Sequence, residues 1–348
     1  RETYAVAGIF TMKPRLTRFL FSGSAAFSIV MAPATVEALT YTRNNTGTNL
    51  SALGSWSGGP PGSTDTALFN STSALTAASN LVDTSLSWNA LQVTNITGVL
   101  SIGNGSATTL SIGSGGIDMS AAAQNVYLNN SLSLSGAQTW TVAGGRVLGV
   151  ATTSAETTYR SLTGSGSINL VQSGTGTATV KVLTSGTNTY TGNWTVGSNV
   201  ELQFIRNGLT GLGSGTVTLS NGSVLAQTQG NWQLSNSITL GASSGDTVTI
   251  GNRSSSTTQR RLKLDGVLSG SGNVVFNNYT TNAMTSATSA GFALTNTNTF
   301  TGSMTINSGA FVRLGGTSGN DTNSWNAGTT GSVVSTVSII NNGGFILS

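Results

Sequence analysis

Residues 187–204, TNTYTGNWTVGSNVELQF, occur again 110 residues later at 297–314 as TNTFTGSMTINSGAFVRL. One supersecondary unit has been duplicated, and any fold proposed for the chain must accommodate it twice. Thr187, Asn188, Thr189, Thr191, Gly192, Thr195 and Ser198 are matched by Thr297, Asn298, Thr299, Thr301, Gly302, Thr305 and Ser308, while Tyr190 and Val196 become Phe300 and Ile306. Trp194, Val196, Leu202 and Phe204 alternate with polar residues, as do Met304, Ile306, Val312 and Leu314. Period two is strand spacing with one face buried. The Gly-Ser or Ser-Gly between the two short strands supplies a bend without steric cost.

The correspondence extends both ways. Leu162-Thr-Gly-Ser-Gly-Ser-Ile168-Asn-Leu170 precedes the first unit and Leu268-Ser-Gly-Ser-Gly-Asn-Val274-Val-Phe276 the second; Thr216-Val-Thr-Leu219 and Thr336-Val-Ser-Ile339 follow them. Short apolar runs bounded by Asn, Gly and Ser also fill the first half: 86–88, 91–93, 99–102, 110–112, 117–119, 126–128, 132–134 and 140–142. Such spacing suits sandwiches and barrels as well as solenoids. The long repeat favours a solenoid, since a closed barrel has no reason to restart. Asn221-Gly222 fits a type I′ hairpin, but a coil corner is preferred. In a parallel solenoid, like residues stack on like, Thr on Thr and Asn on Asn, at about 4.8 Å.

Composition decides between order and disorder. Only 7% of residues are charged, yet 37% are hydrophobic and they recur at period two, so a packed body is expected. There are no cysteines and no histidines, which removes disulfides, thiolate-held metals and the commonest general base. No cofactor or metal is expected. The formal charge of +4 becomes +2 without Arg1, Lys13, Arg15, Arg18, Glu2 and Glu37, all in a stretch expected to be removed. Residues 12–38 read as a secretory signal, with a basic start, an apolar run over 19–32 and cleavage after Ala38. That run is about fourteen residues, short of the roughly twenty needed to span a membrane. Residues 1–11 read as an upstream extension or translation artefact. The expected organisation is an N-terminal cap and first coils over 39–161, one repeat module over 162–267 and a second, truncated one over 268–348. The chain is accordingly read as a fragment.

The unit Leu-x(2,3)-Thr-Asn-Thr-aromatic-Thr-Gly-x-x-Thr-[Val/Ile], the run Leu-Gly-Ser-Gly-x-Val-x-Leu at 212–219 and the Leu-x-Gly-Ser-Gly element resemble the autotransporter-associated β-strand repeat proteins of Gram-negative-type bacteria. Trp56, Pro61, Asp65-Thr-Ala67-x-Phe69 and Gln138-Thr-Trp140-Thr-Val142 are similar to that family's leader region. The resemblance covers most of 39–348 and implies a right-handed parallel β-helix exported as a passenger to the outer cell surface. It implies attachment through a module beyond Ser348.

Enzymatic chemistry on such a scaffold would need paired carboxylates. Of the ten acids, Asp65, Asp83, Asp118, Glu156, Glu201, Asp246, Asp265 and Asp321 lie after Ala38, and no two are closer in sequence than Asp65 and Asp83. No catalytic residue is therefore assigned, although coils can bring distant acids together, and a polysaccharide lyase or hydrolase stands as the alternative. Gly115-Gly116-Ile117-Asp118 lacks the tandem copies of a calcium repeat. The Gly-Ser-Gly runs lack the Lys and helix of a phosphate loop. Arg253, Arg260, Arg261 and Lys263 form the one cation cluster, a candidate polyanion contact weighed against a solvated strand. The six tryptophans, next to aliphatics at period two, are expected in the core rather than on sugars. The expectation is a secreted, non-catalytic, monomeric adhesin or stalk. Its partners would be surface glycans or other cell-surface polymers, with no nucleic acid.

Overall fold

Alternating Val, Ile, Leu, Trp and Thr side chains produce strands of which most bury one face, with Val200–Ile205 buried on both, and parallel stacking gathers the inward faces in one column. The computed structural model describes residues 37–104, 107–153, 160–184, 188–205, 211–228, 232–254, 260–280, 290–315 and 338–347, all within the unit Glu37–Ser348. The expected signal segment lies outside them, except Glu37 and Ala38. The described chain is a β-solenoid of about nine turns. Three sheets wrap it, of twelve, ten and five strands, and every strand pairing is parallel. Asn221-Gly222 is a corner: Gly222 has φ of +75°, and the Asn221 side chain accepts from Thr247 N–H at 2.9 Å on the next coil.

The duplication holds at the level of register. Ile168 lies beside Trp194 and Leu170 beside Val196 in the first copy, and Val274 beside Met304 and Phe276 beside Ile306 in the second. Thr189 and Thr191 donate to the carbonyls of Leu162 and Gly164 at 3.1 and 2.8 Å; Thr299 and Thr301 do the same to Leu268 and Gly270 at 2.8 and 2.9 Å. The copies nevertheless sit on different faces. The first sheet climbs from Ile168 through Trp194, Val217 and Ile238 to Leu268, and the chain then passes to the second sheet at Val274. The second copy is thus turned one face around the axis. This is tolerated because each face presents the same inward-apolar alternation. The equivalence ends downstream, where Trp194 pairs with Val217 but Met304 with Ile339, two residues beyond the matching Val337.

Two pairs of short runs merge into single strands, Leu86–Thr94 and Thr109–Ala121, with register shifts absorbing the irregularity. Parallel pairing starts at Thr40–Thr42, inside the stretch read as cap. Closure comes instead from the chain folding back, with an antiparallel bridge between Arg43 and Trp56 and Ser57 N–H donating to the Thr42 carbonyl at 2.9 Å.

Trp56, Trp88, Trp140 and Trp194 are all buried. Trp56 meets Phe69 and Trp88 edge-on at 5.6 and 5.7 Å, and Trp194 meets Trp140 and Tyr190 at 5.9 and 5.4 Å. Three of the four indoles find acceptors: Trp56 the Leu50 carbonyl, Trp140 the Gln138 amide and Trp194 the Leu212 carbonyl, each at 2.8 Å. The Trp232 side chain and Trp325 lie outside the described residues.

Glycine at the corners does more than bend the chain. A Cβ on Gly166 would lie 1.7 Å from the Gly136 carbonyl oxygen, one on Gly192 2.3 Å from that of Gly166, and one on Gly215 2.0 Å from that of Gly192. The second copy repeats the contact, Gly302 on Gly272 at 2.1 Å. The Thr-Gly of the duplicated unit is there because successive coils touch backbone to backbone at this edge.

Candidate functional site

Next to the glycine edge the first sheet's outer face forms a groove. It encloses about 300 Å³ and is lined by Ser114, Gln138, Thr139, Ser167, Asn169 and Thr195 among others, none of them charged. Two outward columns run along this face. The residues on either side of each buried Ile168, Trp194, Val217 and Ile238 fall into register coil upon coil. One column is Thr139, Asn169, Thr195, Thr218 and Thr239. The other, two residues earlier along each strand, is Ala137, Ser167, Asn193, Thr216 and Ser237, all exposed.

These side chains divide by what they are doing. Asn193 is committed, its oxygen accepting from Thr216 N–H at 2.9 Å and from the Thr216 hydroxyl at 3.1 Å. Asn273 does the same for Ser303, at 2.8 Å in both bonds. Buried Asn188, Asn236 and Asn298 are tied to backbone of the adjoining coil. By contrast Thr139, Asn169, Thr195, Thr218 and Thr239 make no side-chain hydrogen bond among the described residues. Hydroxyls and an amide held on rigid strands with no internal partner are free to meet a ligand.

Among the described residues the candidate cations belong to two different sheets. Arg253 follows the second-sheet strand Thr247–Asn252 and reaches back to Glu201. Its Nε and Nη2 donate to the two carboxylate oxygens, the latter at 2.7 Å, while its guanidinium lies 3.9 Å from the Tyr279 ring centroid. Glu201 is buried and also accepts from Gln203 at 2.8 Å. The clasp crosses the intervening coil. Gly251, in register with Ala226, leaves room for the Tyr279 ring: a Cβ there would lie 2.6 Å from it. Arg261 and Lys263 belong to the third-sheet strand Arg260–Leu264, where Lys263 pairs with Asp265 at 3.5 Å. Leu262 and Leu264 point inward between them, as the alternation requires. The Arg260 side chain lies outside the described residues.

Breaking the clasp has a readable consequence. Glu201→Ala should lower stability by about 1–3 kcal/mol, the worth of charge-assisted hydrogen bonds at a partly exposed guanidinium. Thermal unfolding measures it, and an unchanged midpoint would show the clasp to be ornamental.

The described carboxylates after Ala38 each accept from donors on the same or a neighbouring coil. Asp65 accepts from Gly62 N–H at 2.8 Å, Asp83 from the Ser51 hydroxyl at 2.5 Å, Asp118 from Ser120 N–H at 2.9 Å and Asp246 from Ala242 N–H at 2.8 Å. Burial pushes Asp83 up, but the Ser51 hydroxyl and nearby N–H groups outweigh it and leave the carboxyl below its ordinary value. Asp265 accepts from Thr295 and Gln233. Among the described residues no three His, Cys, Asp or Glu side chains gather as a metal-holding group. Glu156 and Asp321 lie outside these residues. The sequence offered no signal for the 201–253 pairing, which depends on coil lengths; the outer column was readable only once register was known.

No family model, no curated protein and no solved structure matches this chain.

Proposed function

We propose that this chain is a secreted or outer-surface β-solenoid, of the autotransporter-associated repeat type, acting as a non-catalytic adhesin-like stalk. The observation that supports it is the face just described, a rigid row of uncharged hydroxyls and one amide with no internal partner among the described residues, on a scaffold whose described acids after Ala38 are individually tied down. Such a surface offers many weak neutral contacts and no obvious nucleophile or acid pair. It does not depend on ion pairs that salt would screen. Residues 12–38 are the proposed export signal.

The reading is tested by expressing the full sequence in a Gram-negative host. Mature protein beginning at Leu39 and recovered outside the cytoplasm is expected, with no release of reducing or unsaturated ends from acidic or neutral polysaccharides. Retention in the cytoplasm with residues 12–38 intact would overturn the export reading. Released ends would replace the adhesin with a carbohydrate-active enzyme.

A further inference from the structure

We infer that the first-sheet groove and its two outward columns bind a neutral polysaccharide chain lying along the coil stack, across the strands. This deepens the surface reading above and rests on it. The groove's lining contains no charged side chain, so it lacks the cations that hold nucleic acids or acidic glycans. No aromatic side chain lines it either, so it lacks the anchors on which tight protein interfaces are centred. What it offers is alternating donors and acceptors, repeated once per coil.

The geometry suits a polymer more than a small sugar. Neighbouring rungs are about 4.8 Å apart, and the two columns, two residues apart along each strand, are separated by about 6.6 Å. A chain whose hydroxyls recur along its length can engage Thr139, Asn169, Thr195, Thr218 and Thr239 in succession, with Ser167 and Ser237 on its flank. Asn193 and Thr216 bond to each other, which stiffens that flank. Directly beneath, Trp140 and Trp194 pack edge-on at 5.9 Å in the core and immobilise the strands bearing Thr139 and Thr195. Little side-chain freedom is then lost on binding, because β-branched threonines on a fixed strand have few rotamers to give up.

The test uses the purified full chain with particles of cellulose, chitin and β-1,3-glucan, and heparin–agarose as the anionic comparator, following depletion from the supernatant. Retention is expected on at least one neutral polymer, and it should persist in 1 M NaCl. Thr218→Lys and the double variant Asn169→Ala/Thr195→Val should weaken it by at least about tenfold. Ser244→Lys adds the same charge at an exposed corner off this face and should leave retention unchanged, with equal unfolding midpoints certifying the fold of all variants. Retention that ignores Thr218→Lys, retention on heparin alone, or none on any polymer overturns the groove assignment. Reducing ends released from a polymer that is bound through the groove would overturn the non-catalytic reading while sparing the groove.

Discussion

Gly166→Ala is expected to destabilise the solenoid by about 3 kcal/mol or more, while Gly245→Ala is expected to be neutral or slightly stabilising. The contrast is a matter of what surrounds an added methyl. At Gly166 it would meet the Gly136 carbonyl at 1.7 Å, and at Gly192 it would meet both the Gly166 carbonyl at 2.3 Å and the Tyr190 hydroxyl at 2.4 Å. Backbone on the adjoining coil cannot step aside without opening the parallel ladder. At Gly245 nothing lies within 4 Å. None of these three glycines has the positive φ that would penalise alanine for conformational reasons, so the comparison isolates the steric contact. Denaturant midpoints of the single variants provide the measurement. If Gly166→Ala and Gly245→Ala behaved alike, coils would not be in backbone contact at this edge, and the groove beside it would lose its physical basis.

How much of this was legible beforehand varies with the range of the interaction. The inward alternation of Trp194 and Val196, and of Met304 and Ile306, is a local pattern, and both segments are buried in parallel sheets as their period-two spacing predicts. Which threonines stack, Thr195 on Thr218 on Thr239, needed the register as well. The Thr-Gly doublets repeat visibly in the sequence, but a bend and a backbone contact leave the same glycine there, so the contact itself was not legible. The pairing of Arg253 with Glu201 was not legible. It needs coil lengths, which vary from 20 residues between Phe292 and Val312 to 35 between Met304 and Ile339.

The one-face rotation between copies was equally hidden, and it bears on function. Thr195 stands on the first sheet between Asn169 and Thr218, whereas its counterpart Thr305 stands on the second, beside Val275 and Ile340. Duplication therefore repeated the scaffold without repeating the hydroxyl column.

At the N-terminal end the decisive residue is Arg43, and Arg43→Ala is expected to cost about 3–5 kcal/mol. Arg43 is fully buried and has no carboxylate partner among the described residues. Its guanidinium instead donates to the carbonyls of Asn44 and Thr46 at 2.7 Å, Ser55 at 2.9 Å, Gly47 at 3.0 Å and Ser79 at 2.5 Å, and to the Asn80 side chain at 3.0 Å. Burial lowers its pKa from the ordinary value, yet an arginine remains charged. Removing it takes the guanidinium donor from six acceptors at once, of which only the Asn44 and Ser55 carbonyls keep a backbone donor, Ala74 N–H at 3.3 Å and Asn44 N–H at 2.9 Å. Arg43→Lys keeps the charge but not the planar fork, and should recover only part of the loss. Because a solenoid's stability is summed over neighbouring coils, the damage should concentrate at the start of the stack. Hydrogen exchange should accelerate at Leu50 and Leu81, whose N–H groups bond Leu81 and Thr48 carbonyls at 2.9 Å, and stay unchanged at Trp194 and Val217. Equal acceleration at all four amides would mean that the coils unfold as one cooperative block, and no acceleration at all would mean that the carbonyl cage does not close this end.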